Sequence, residues 1–189
     1  MKQYNVGVIG ATGMVGQRFI TLLENHPWFN LVALAASARS AGKTYEEAVG
    51  SRWLMQTPMP ESVKKMVVLD AANVEEVASK VDFVFCAVNM KKDEIKALEE
   101  RYAKAECPVM SNNSANRFTP DVPMIIPEVN ADHAAIIDAQ KKRLGTKRGF
   151  ISVKSNCSIQ SYVPALSPLR KFGIKNILCL LYTSDAADE

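Results

Sequence analysis

Cys157 lies in the run Ser155-Asn156-Cys157-Ser158-Ile159-Gln160, after a short apolar stretch at residues 150–153 and at the expected start of a helix. A thiol at a helix N-terminus meets unpaired backbone N–H groups and the positive end of the helix dipole, which stabilise the thiolate a nucleophile needs. Asn156 and the neighbouring N–H groups are donors suited to a tetrahedral oxyanion. Near the other end of the chain stands Gly10-Ala11-Thr12-Gly13-Met14-Val15-Gly16. Glycines at this spacing, between a strand and a helix, let the backbone turn tightly, approach a pyrophosphate and pack helix on strand. The loop of Gly10, Thr12, Gly13, Met14, Val15 and Gly16 is therefore the expected site of a dinucleotide, with the following helix aimed at its phosphates. A phosphate-cradling loop followed by a helix-start thiol points to an enzyme that forms a thioester and passes it a hydride.

The end of the second expected strand bears on the choice of dinucleotide. An Asp or Glu there holds the ribose 2′-hydroxyl of NAD. The residues present are Ser37-Ala38-Arg39-Ser40-Ala41-Gly42-Lys43, with no acid before Glu46. Hydroxyls at Ser37 and Ser40 with the cation Arg39 suit a 2′-phosphate, so NADP is the expected cofactor. Cys86, within an apolar run, and Cys107, before Pro108, read as packing residues.

These groups need a scaffold, and the chain supplies strand-like and helix-like segments in alternation. Strands are expected at residues 4–9, 31–36, 66–69, 82–88, 108–110, 124–126 and 150–153. Helices are expected at residues 14–24, 74–79, 91–105, 131–143 and 163–172, the last with Pro164 in its first turns. The run at residues 82–88 is almost wholly apolar, as a strand buried on both faces should be. This rhythm predicts an α/β fold, a Rossmann-like doubly wound parallel sheet. The polar turn at residues 145–149 is the expected end of a nucleotide-binding domain over 1–149. Residues 150–189 then read as the incomplete start of an α+β catalytic and dimerisation domain, too short for a separate core.

The chain has 189 residues, 48% hydrophobic and 23% charged, with a formal net charge of +3. These values fit a globular protein with a substantial core, and no apolar run has the length of a membrane span. The basic cluster around Lys141, Lys142, Arg143, Lys147 and Arg148 lacks interleaved aromatics and reads as a solvated helix end. No nucleic-acid or membrane partner is expected. Four scattered cysteines without a CxxC pair, and two histidines, argue against a metal site or a disulfide framework.

Five segments together resemble aspartate-β-semialdehyde dehydrogenase, in its archaeal and fungal branch: Gly10 to Gly16, Ser37 to Gly42, Ser111-Asn112-Asn113-Ser114-Ala115-Asn116-Arg117, Ile126-Pro127-Glu128-Val129-Asn130 and Ser155 to Gln160. The Ser-Asn-Cys-Ser-Ile-Gln run is the most specific of them. The resemblance implies NADPH-dependent reduction of β-aspartyl phosphate to aspartate semialdehyde, on the way to lysine, methionine, threonine and isoleucine. Cys157 would attack the acyl phosphate and Asn156 would help position it. Taken alone, Ser111 to Arg117 is a polar turn with a surface arginine; the resemblance makes Arg117, with Asn116, the site of the leaving phosphate. It also implies a small-molecule substrate, a cytoplasmic location and a homo-oligomer when full length.

Family members continue well past the nucleophile, into a region that supplies a Gln, an Arg and an acid–base His. Neither His26 nor His133 falls at that histidine's place, and resemblance fades from about residue 179, as expected of a truncated or frameshifted chain. Related readings are N-acetyl-γ-glutamyl-phosphate reductase, whose cysteine sits in a different context, malonyl-coenzyme A reductase, and an inactive NADP-binding fragment.

Overall fold

The computed structural model describes residues 2–180. In chain order its elements are β1 (Tyr4–Ile9), α1 (Met14–Leu23), β2 (Phe29–Ala36), α2 (Tyr45–Val49), α3 (Glu61–Lys64), β3 (Leu69–Asp70), α4 (Val74–Ala78), β4 (Phe83–Cys86), α5 (Lys92–Lys104), β5 (Val109–Ser111), β6 (Met124–Ile125), α6 (Pro127–Asn130), α7 (Ile137–Leu144), β7 (Ile151–Lys154) and α8 (Cys157–Leu166). The strands form one seven-stranded parallel sheet in the order β3-β2-β1-β4-β5-β7-β6. Strand order reverses between β1 and β4. Their C-terminal ends open the crevice in which such sheets bind ligands.

Strand alternation divides the apolar side chains between the two faces. Val84 and Cys86 of β4 join Val74, Val77, Leu98 and Tyr102 under α4 and α5. Phe83 and Phe85 lean to the other face, against Ile20, Leu23, Tyr45, Val49 and Val63 of α1, α2 and α3. The sheet therefore has helices on both faces, a Rossmann-like arrangement.

Three sequence expectations change. The apolar residues 66–68 do not extend β3; their backbones bond to the 42–45 turn, through Tyr45 N–H to Met66 O (2.8 Å) and Val68 N–H to Lys43 O (2.9 Å). The last helix starts at Cys157, as expected of the thiol, because the Asn156 side chain caps it by accepting from Ser158 N–H (2.8 Å), but it ends at Leu166 and does not run to residue 172. Pro164 falls inside that helix, which tightens to a 3₁₀ turn at Ser167–Phe172. Finally, the sheet continues past Gly149, where the nucleotide-binding domain is expected to end. β7 inserts between β5 and β6. Gly149 lies so close to α5 that a Cβ on it would stand 1.7 Å from Ala103 O. That glycine permits close packing and does not mark a linker. The atypical tail from about residue 179 lies mostly outside the described residues.

Candidate active site

The loop after β1 is held from three sides. Gly10 has φ +84°, and a Cβ there would meet Ala87 O at 2.4 Å, so only glycine lets β1 turn beside the end of β4. Gly16 packs its Cα on the loop itself, where a Cβ would lie 2.2 Å from Gly10 O. Gly13 is different: it is exposed, and its nearest potential contact is Gly10 O at 3.5 Å. The fully buried Tyr45 donates from its hydroxyl to Ala11 O (2.7 Å), and burial pushes its phenol above the ordinary value. The equally buried Gln17 donates to Thr12 O (3.1 Å) and Arg52 O (2.9 Å) and accepts from Leu54 N–H (2.8 Å). No acidic residue occupies the first turn of α1, which leaves its positive end facing the loop.

This loop borders a cavity of about 620 Å³ at the β1/β4 crevice. Of the expected cofactor residues, Gly10, Thr12, Gly13, Ser37 and Arg39 line it. Met14, Val15 and Gly16 form the first turn of α1 and do not, nor does Ser40, which is 8% exposed and turns back to bond Ser37 O through its N–H (2.8 Å). The cavity also takes in Arg52 and Asp70, which sequence reasoning passed over. Arg52 lies in no recognisable motif; its placement follows from the Gln17 contact. The cavity's size, the bare backbone at Gly13 and the cations Arg39 and Arg52 in its lining fit a phosphorylated dinucleotide.

Along the same sheet edge, Cys157 is the exposed first residue of α8. Burial raises the Cys86 thiol well above its ordinary value, reinforced by the charge of Glu99, and pushes the Cys107 thiol up to about 12. Both are packed and inert, as expected. Asn156 commits its side-chain oxygen to Ser158 N–H (2.8 Å) and Ser158 Oγ (2.6 Å), fixing the start of the helix that presents the thiol.

Arg117 reaches from the segment after β5 to the end of β7. Its Nε donates to Lys154 O (3.2 Å) and its Nη2 to Ser155 O (3.4 Å). The chain therefore brings Arg117 and the Cys157 turn together, though they are distant in sequence. Asn116 is only 3% exposed; it donates to Glu99 Oε2 (2.7 Å) and accepts from Thr119 Oγ1 (3.0 Å), so its amide serves the loop. A second cavity of about 410 Å³ opens between these segments, lined by Asn112, Lys154 and Gln160 among others. Gln160 Oε1 is buried there without a hydrogen-bond partner among the described residues.

Comparison with known proteins bears on this arrangement directly. The family described as semialdehyde dehydrogenase, NAD binding domain, matches residues 5–137, which is more than half of the chain. The chain belongs to the semialdehyde dehydrogenase family. Among curated relatives, aspartate-semialdehyde dehydrogenase of Archaeoglobus fulgidus is 42% identical over 93% of this chain and 49% of its own length. The enzyme of the same name from Methanothermobacter thermautotrophicus is 44% identical over 87% and 45%. The crystal structure of aspartate semialdehyde dehydrogenase with NADP from Candida albicans superposes with a TM-score of 0.79, at 38% identity, over 92% of this chain and 48% of that one. The chain thus spans about half the length of the curated relatives it matches. Among the described residues no helix is long and apolar enough to cross a membrane, and no cluster of His, Cys, Asp and Glu could hold a metal.

Proposed function

We propose that the protein carries out the NADPH-dependent reduction of β-aspartyl phosphate to aspartate semialdehyde, with residues from α8 onward opening its catalytic domain. The observation that carries this reading is the convergence of Cys157, at the first position of α8, with Arg117 on the sheet edge that also holds the 620 Å³ cavity. Residue types, fold and relatives support it together.

In this reading Arg117 pairs with the phosphoryl group and draws the acyl carbon toward Cys157. The thiolate attacks that carbon, the carbon–oxygen bond to phosphate breaks, and inorganic phosphate leaves with the electron pair. The N–H groups at the start of α8 stabilise the tetrahedral oxyanion, while Asn156 keeps that turn in place. The residues lining the cavity fit NADPH: Gly10, Thr12 and Gly13 at the pyrophosphate, and Ser37, Arg39 and Arg52 toward the 2′-phosphate. Bound there, NADPH supplies the hydride that reduces the thioester carbonyl and frees the aldehyde. A homo-oligomer in the cytoplasm completes the reading.

Two experiments test it. Titrating NADPH and NADH into the chain should give saturable binding at least tenfold tighter for NADPH; equal affinities would sink the 2′-phosphate assignment. Assayed with β-aspartyl phosphate and NADPH, the protein at the length of its relatives should lose activity on Cys157→Ser. Activity surviving that change would overturn the thioester mechanism.

A further inference from the structure

Glu99 lies on α5 and is 1% exposed. A buried carboxylate is costly unless its acceptor capacity is filled. No Lys or Arg pairs with Glu99 among the described residues. Its oxygens are filled instead by three side chains, Ser111 at the end of β5 and Asn113 and Asn116 in the loop that follows. Oε1 accepts from Ser111 Oγ (2.5 Å) and Asn113 Nδ2 (3.2 Å), and Oε2 accepts from Asn116 Nδ2 (2.7 Å). The residues between β5 and β6 belong to no helix or strand, and their backbone bonds are mostly short turns: Asn112 N–H to Cys86 O (2.8 Å), Asn113 N–H to Ser111 Oγ (3.0 Å), Arg117 N–H to Ser114 O (3.1 Å), Thr119 N–H to Asn116 O (3.1 Å) and Val122 N–H to Thr119 O (3.0 Å), with Pro123 O accepting from Val153 N–H (2.9 Å). Glu99 ties the end of β5 to the first half of the loop, and Arg117 follows directly after the last residue it holds.

We propose that Glu99 is a positioning residue of the active site, which sets Arg117 beside Cys157 for an anionic substrate by gathering Ser111, Asn113 and Asn116. The inference rests on the reading of Arg117 as the phosphate group of the site. The geometry requires an acceptor at both oxygens. Three donors converge on two oxygens, and an amide at position 99 would turn an N–H toward another N–H. Glu99→Gln therefore keeps the size of the side chain and breaks its function. Glu99 meets neither substrate nor cofactor; it acts through the loop.

The test reads alkylation of Cys157 on its own peptide by mass spectrometry. Iodoacetate and iodoacetamide are compared, with and without inorganic phosphate, in the wild type and in Glu99→Gln, Asn116→Ala and Arg117→Met. NADPH binding and a melting curve on each sample report the cofactor site and the fold. In the wild type iodoacetate should be favoured over iodoacetamide relative to Arg117→Met, and phosphate should protect Cys157. Glu99→Gln should lower the iodoacetate preference at least threefold, weaken phosphate protection, and leave NADPH affinity within twofold. If Glu99→Gln fails to fold, Asn116→Ala takes its place with the same expected loss. A wild-type preference and intact phosphate protection in the folded variant would overturn the proposal while sparing the role of Arg117. A wild type indifferent to phosphate and indistinguishable from Arg117→Met would overturn both.

Discussion

Gly13→Ala should separate cofactor binding from folding, because the three loop glycines face different neighbours. At Gly13 the backbone has φ −80° and ψ 165°, which alanine adopts readily, and the new Cβ would stand 3.5 Å from Gly10 O in ordinary contact. Alanine lowers the entropy of the unfolded chain, worth about 0.4–1 kcal/mol, but it is a poorer N-cap than glycine by a similar amount. Stability should therefore stay within about 0.5 kcal/mol of wild type. The methyl would enter the space over which the loop approaches a pyrophosphate, and NADPH affinity should fall at least tenfold, about 1.4 kcal/mol. Gly16→Ala supplies the contrast. It gains about 1 kcal/mol of helix propensity. Its Cβ, however, would stand 2.2 Å from Gly10 O and 2.7 Å from Ala11 Cα, both of them backbone atoms. Relieving that contact belongs at or beyond the upper end of overpacking costs, about 3 kcal/mol. The net loss of about 2 kcal/mol corresponds to a melting temperature lower by about 4–8 °C. Fluorescence titration of NADPH and thermal melts on both variants measure the two effects. A Gly13→Ala protein that binds NADPH like wild type, or a Gly16→Ala protein that melts like it, would refute this account of the loop.

Removing the buried hydroxyl by Tyr45→Phe leaves Ala11 O without its partner and should cost about 1–2 kcal/mol in urea unfolding, with weaker NADPH binding. Arg39→Met should reduce NADPH affinity about tenfold and leave NADH affinity nearly unchanged, as measured by titrating both. Glu106 accepts from the backbone N–H groups of Lys147 (2.9 Å), Arg148 (2.5 Å) and Gly149 (2.8 Å), and these bonds hold its carboxyl below the ordinary value. A carboxyl lowered in the folded state stabilises it above the unfolded value, and that stability is lost as pH falls through the folded value. Glu106→Gln should thus lower the urea midpoint at pH 7, and its deficit should close as pH drops below about 4.3.

Part of the site was legible because local rules govern it. β1 occupies the six residues that its β-rich run marked, and its glycine loop follows where strand–loop–helix spacing placed it. Cys157 at a helix start also held, although the helix extent did not, since the cap at Asn156 outweighed the proline as a boundary signal. Ser40 stands outside the cavity lining: a hydroxyl beside an arginine looks like a phosphate ligand, and the sequence does not record that the residue is largely buried. Gly149 looked like punctuation because sequence does not record that α5 passes beside it.

The chain by itself determined the alternation of elements, the phosphate-type loop and the thiol at a helix N-terminus. Each depends on patterns a few residues long, namely burial period, backbone permissiveness and capping. Tertiary structure alone decided which distant groups meet. It set β7 between β5 and β6, Arg52 in the cavity through Gln17, Arg117 against the Cys157 turn, and Glu99 beneath the loop that carries Arg117. A periodic pattern states that a face must be buried, or that a buried charge must find donors. It does not name the partner, because partner choice follows from sheet order and register among segments far apart in the chain.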